Sequence, residues 1–267
     1  MLSGPSYREC LVSLVVALTV VGTGCFPNDL LLEDELADAN GDRDAGIANE
    51  DEPELPQLPV LTYFKSSNSE EGDRFGYALD ASGDTLVVGA PREDSRDVES
   101  DNLAFNSGAA FVFVEGESGW EQQAILKASP VSRSAFGNCV AISGDRIAVG
   151  AVLEGTLASG VNPDPQSFEV GEQVGAAYLF ERQGTIWTQT DFIKASNAGS
   201  GDRFGCPIAL DGDTLAVGAV FEDSNATSGA NDSTVDSGAA YVFERDAGEW
   251  GEVAYLKSPS PNREDVF

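Results

Sequence analysis

The chain has 267 residues, with 45 acidic and 15 basic side chains, a net charge of −30 and no histidine. That charge works against nucleic acid, because phosphate binding needs a basic face to displace counterions, and against adsorption on anionic lipid. Without histidine, Ser-His-Asp and Cys-His nucleophile systems and imidazole metal sites are excluded.

From the amino terminus, Arg8 precedes an uninterrupted run of 11 mostly apolar residues, Leu11 to Val21. A helix needs about 20 residues to span a bilayer, so this run is too short and suits the h-region of a secretory signal over residues 1–24. Gly22, Thr23 and Gly24 then lead into Cys25. Small residues running into a cysteine resemble the lipobox of bacterial lipoproteins, with Gly22 where that motif usually carries leucine. The resemblance implies cleavage before Cys25, its acylation, and an outer-membrane or cell-surface address, with secretion as the alternative. Membrane contact would then run through the lipid alone.

Residues 28–57 hold eleven acidic side chains against Arg43. Such a stretch cannot bury enough apolar surface to offset its ordering entropy, so 25–57 reads as an extended, self-repelling tether. Asp38, Asn40, Asp42 and Asp44 alternate like calcium ligands, but Arg43 stands where an EF-hand needs glycine and Asn49 where it needs glutamate.

Residues 58–267 repeat one unit. GDRFGYALDASGDTLVVGAP from 72, RSAFGNCVAISGDRIAVGAV from 133 and GDRFGCPIALDGDTLAVGAV from 201 align. Each is followed by a long polar loop, then by GAAFVF at 108, GAAYLF at 175 or GAAYVF at 238, and by a strand from tryptophan to lysine (Trp120–Lys127, Trp187–Lys194, Trp250–Lys257). Short Val-, Ala- and aromatic-rich runs bounded by Gly, Asp and Ser predict strands and turns, with SGD and DGD as tight hairpins. A period near 60 residues with four strands per unit predicts an all-β fold of antiparallel β-propeller blades over about 72–130, 133–197 and 201–260.

The paired FG at the start of each unit and GA(P) at the end of its second strand resemble the FG-GAP repeat of integrin α-type propellers and many bacterial surface proteins. Residues 58–66, with Lys65 ten residues before Phe75, read as an orphan outer strand, and Phe267 stands where the next unit's FG begins. Three complete blades leave two open faces, which predicts either self-association to close the propeller or a piece of a longer protein.

The calcium loop of integrin-type blades is missing from the short first hairpins, where Asp84, Asp145 and Asp213 serve as turn residues. The acidic loops after the second strands supply metal candidates instead: Asp94, Asp97 and Asp101 in the first unit, Asp223 and Asp232 in the third, with calcium as the ion. Glu93-Asp94-Ser95 and Glu222-Asp223-Ser224 are equivalent, and unit two reads as lacking the pattern. Cys139 and Cys206 lie three and two residues after their FG phenylalanines. That offset points them to opposite faces of their sheets, the arrangement needed to face one another across a blade interface; export permits a disulfide, and two small buried hydrophobes are the alternative. The resemblance implies a non-catalytic binding or adhesion module for a protein or glycan ligand at the cell surface. The alternatives are an accessory propeller portion of a secreted hydrolase and a truncated remnant of a longer propeller.

Overall fold

The computed structural model describes residues 63, 65–96, 103–163, 170–224, 234–262 and 265. The signal-like segment, Cys25, the tether and most of the stretch 58–66 lie outside the described residues. The repeats fold as three antiparallel sheets. Blade 1 contains β1 (Ala78–Ser82), β2 (Thr85–Ala90), β3 (Ala109–Gly116) and β4 (Gly119–Leu126), paired in that order. Blade 2 contains β5 (Phe136–Ser143), β6 (Arg146–Ala151), β7 (Gly160–Val161), β8 (Ala176–Gln183) and β9 (Ile186–Lys194). Blade 3 contains β10 (Ile208–Asp211), β11 (Thr214–Ala219), β12 (Ala239–Asp246) and β13 (Glu249–Leu256).

Blade 2 departs from the expected four strands: its order is β5-β6-β8-β9-β7. Its long loop returns Gly160 and Val161 to the outer edge of β9, opposite Lys194 and Ile193. Asn162 clamps the addition, donating its backbone N–H to Phe192 O at 2.8 Å and accepting the Phe192 N–H on its side-chain oxygen at 2.8 Å. The loop thereby caps edge groups that would otherwise need solvent.

Each first hairpin turns through a glycine at positive φ, Gly83 (62°), Gly144 (58°) or Gly212 (55°), which only a residue without Cβ adopts cheaply. A bulge recurs at one position in every blade, between Val112 and Phe113, Leu179 and Phe180, and Val242 and Phe243. Each third strand alternates its side chains between the two faces of its sheet. One set, Phe111 and Phe113, Tyr178 and Phe180, or Tyr241 and Phe243, receives the FG phenylalanine of its own blade edge-on. Ring centroids are 5.5 and 6.0 Å apart for Phe75, 5.5 and 5.9 Å for Phe136, and 5.3 and 6.2 Å for Phe204. The opposite set is smaller and packs on the next blade: Val87, Ala110, Val112 and Leu126 of blade 1 join Val140, Ile142 and Ile147 of blade 2 in one core. Ala141, Ala148, Leu179 and Ile193 of blade 2 join Leu215, Val217 and Tyr241 of blade 3 in another.

Candidate functional site: the loop face of the blades

The ends of each second and fourth strand and the starts of each third strand lie on one edge of the blades, so the long loops share a face with the blade-to-blade connectors. A buried ion pair pins each loop. Lys127 Nζ meets Glu93 Oε2 at 2.5 Å, Lys194 meets Glu154 at 2.5 Å, and Lys257 meets Glu222 at 2.5 Å. Lys194 is wholly buried. Burial pulls its ammonium below its ordinary pKa, against the opposing pull of the Glu154 carboxylate.

Each glutamate also accepts from the residue two positions on. Ser95 and Ser224 donate both N–H and hydroxyl to Oε1 of Glu93 and Glu222. Thr156 donates its N–H and hydroxyl to Glu154, both at 3.0 Å. The lysine completes the set through Ser107 Oγ (2.9 Å), Gly175 O (2.5 Å) or Ser237 Oγ (2.6 Å) on the far side of the loop. Both loop ends are therefore tied to the outer strand. The second unit lacks the Glu-Asp-Ser triplet but makes the same brace through Glu154 and Thr156. Its signal was in the sequence: each glutamate stands four residues after the GA glycine, in GAPREDS, GAVLEGT and GAVFEDS.

Of the candidate metal ligands, Asp94 and Asp223 each use a carboxylate oxygen to brace their own loop. Asp94 Oδ1 accepts the Asn106 N–H at 2.6 Å, and Asp223 Oδ1 accepts the Asp236 N–H at 2.7 Å. Asp97, Asp101 and Asp232 lie outside the described residues, and no group of three metal-ligating side chains occurs among the described ones.

The junctions between blades explain the repeat's signature. A Cβ on Gly89 of blade 1 would overlap the carbonyl oxygen of Gly137 in blade 2, and one on Gly137 would overlap that of Ala109. At the next junction Gly150 stands in the same relation to Gly205, and Gly205 to Ala176. FG of one blade is thus wedged between GA and GAA of the blade before it. In blades 1 and 3 the first strand begins after FG, at Ala78 and Ile208, whereas in blade 2 β5 begins at Phe136 itself. Phe136 donates its N–H to Ser107 O at 3.0 Å, and Phe204 to Val174 O at 3.0 Å. The residue before the phenylalanine is held left-handed in every unit, at Arg74 (59°), Ala135 (51°) and Arg203 (54°), a conformation uncommon outside glycine.

Cys139 and Cys206 are joined across the second junction as a disulfide, with Cα atoms 5.5 Å apart, inside the usual range. The first junction has Ala78 and Asn138 at the equivalent positions.

Between the loops the surface is concave. A cleft of about 580 Å³ is lined by Arg133, Leu153, Thr156, Val170, Glu172 and Gln173. Arg133 lies over the ring of exposed Phe105 at 5.3 Å, and Leu103, Leu157 and Val170 are exposed on the same loops. A smaller hollow of about 270 Å³ contains Arg203, which stacks on Phe221 at 4.7 Å and donates Nε–H to Gln173 at 2.7 Å.

Antiparallel blades, joined glycine to glycine and with pinned loops on one edge, define a β-propeller-type repeat protein. The FG-GAP repeat family matches residues 64–113, 120–180 and 187–243, more than half of the chain, and the protein belongs to that family. No curated protein matches the chain.

Proposed function

We propose that this protein is an exported, non-catalytic binding module, held at the bacterial surface through lipid on Cys25 and presenting its loop face to a protein or glycan ligand. The observation that carries this reading is the 580 Å³ cleft, walled on one side by the blade 2 loop that the buried Lys194–Glu154 ion pair ties down. Recognition normally resides on loops positioned by a rigid scaffold. Exposed Phe105 under Arg133, and exposed Val170 in the cleft lining, supply apolar contact beside a cation. The loop acids Asp94 and Asp223 act here as braces that shape the face.

Labelled full chain is applied to arrays of surface glycans and proteins, beside a Phe105→Ala/Arg133→Ala variant. Saturable binding that the double variant loses, with unchanged circular dichroism, supports the module. Equal binding by both proteins rejects this face as the site. For the anchor, the intact mass of membrane-extracted protein should show cleavage before Cys25 plus acyl chains, and Cys25→Ser should release it.

A further inference from the structure

We infer that a second copy of this chain docks head to tail, the open face of blade 3 in one copy receiving the open face of blade 1 in the other. The inference is independent of the ligand proposed above. At each internal junction a small-residue face meets an aromatic-backed face. Blade 3 still offers the first kind: Ala216, Ala240, Val242 and Leu256 are the repeat equivalents of Ala148, Ala177, Leu179 and Ile193. Blade 1 still offers the second: Phe75, Leu79, Leu86 and Val88 are the equivalents of Phe136, Val140, Ile147 and Val149. One residue on each face is uncovered where its equivalent at an internal junction is closed over. Leu79 is 41% exposed against 8% for Val140, and Leu256 is 47% exposed against 0% for Ile193. The glycine wedge is also vacant on this side, since a Cβ on Gly76 would meet nothing within 4 Å, whereas Gly137 and Gly205 are enclosed.

A connector's seats on blade 1 are already filled. Ser67 donates its N–H to Gln122 at 2.9 Å and Asn68 donates to Glu93 at 2.8 Å. The partner's residues 258–262 would therefore stay outside the junction; their hydrogen bonds run within 258–265. The contact is heterologous, so one junction leaves a free face at each end, and two junctions make a six-bladed ring. Six blades fall within the usual range of 4–8.

The rim fits less well than the faces. At the second internal junction Arg245 pairs with Glu181 at 2.8 Å, and at the first Arg182 donates to Thr85 at 3.1 Å. The equivalent residue of blade 1 is Glu115, which would approach Glu244 of the partner. With a net charge of −30 on each copy, association should strengthen with added salt, because like charges are screened.

The test is sedimentation of the full chain in non-ionic detergent, which keeps the apolar run at 11–21 from driving association. Wild type at tens of micromolar is expected as a dimer or larger species, more so in about 0.5 M salt, where the Debye length is only a few ångströms. Leu79→Asp and Leu256→Asp, each at an exposed position, should both be monomeric. Mixed in equal amounts they should form a dimer, because each supplies the face the other lacks. Glu115→Arg should tighten the wild-type assembly several-fold at low salt. A wild-type monomer at high salt, single variants that still associate, or a mixture that stays monomeric would each overturn the inference.

Discussion

Replacing Lys194 by methionine tests whether the buried ion pairs hold the loop face together. The side chain is wholly buried, and its ammonium serves Glu154 Oε2 and Gly175 O, both at 2.5 Å. Methionine matches the aliphatic stem but leaves a carboxylate in a dry site with only Thr156 as donor. Breaking one side of a buried pair costs about 3–5 kcal/mol. In a unit of this size each kcal/mol lowers Tm by about 2–4 °C, so a fall of roughly 6–20 °C is expected. Adding Glu154→Gln removes the orphaned charge while keeping an oxygen for the Thr156 N–H, and should recover most of the loss. Calorimetry of wild type, single and double variants measures both the loss and its recovery. A loss under about 1 kcal/mol, or a double variant no better than the single, would refute the reasoning from desolvation.

The disulfide closes a sequence separation of 67 residues, for which chain entropy gives about 4 kcal/mol; intact mass should rise by two hydrogens on reduction, and Cys139→Ala/Cys206→Ala should melt lower. Gly150→Ala should destabilise by about 1–3 kcal/mol or more by overpacking, because its Cβ would overlap the Gly205 carbonyl oxygen. Gly251→Ala, where nothing lies within 4 Å, should be tolerated, and equal melting of the two would contradict the wedge. Burial raises the carboxyl pKa of Asp73, with nearby Glu93 adding to the rise, and burial raises that of Glu252. Both therefore bind protons more readily folded than unfolded, so wild-type stability should increase as pH falls from 7 toward 5. A Tm that drops over that interval would count against it.

The blades are legible in the sequence because a repeat states its own alignment. Three copies of FG, GA and GAA in register leave few ways to place the strands, and hairpin glycines mark the turns locally. Local signals also stop at local facts. Asp94 and Glu93 are adjacent acids in sequence, equally plausible as ligands. Only packing shows that Glu93 points inward to Lys127, 34 residues away, while Asp94 braces a loop end. The extra strand β7 has no pattern of its own, since Gly160 and Val161 become strand only by meeting a free edge of β9.

The sequence alone determined the period and the order of the four repeat strands in each blade, because alternation and turn chemistry act over a few residues. Tertiary structure decided why FG and GA must contain glycine: the constraint is a carbonyl oxygen on another blade, occupying the space a Cβ would need. It also decided which acids are spent on the fold, because burial and long-range ion pairing belong to the packed chain and not to any segment of it.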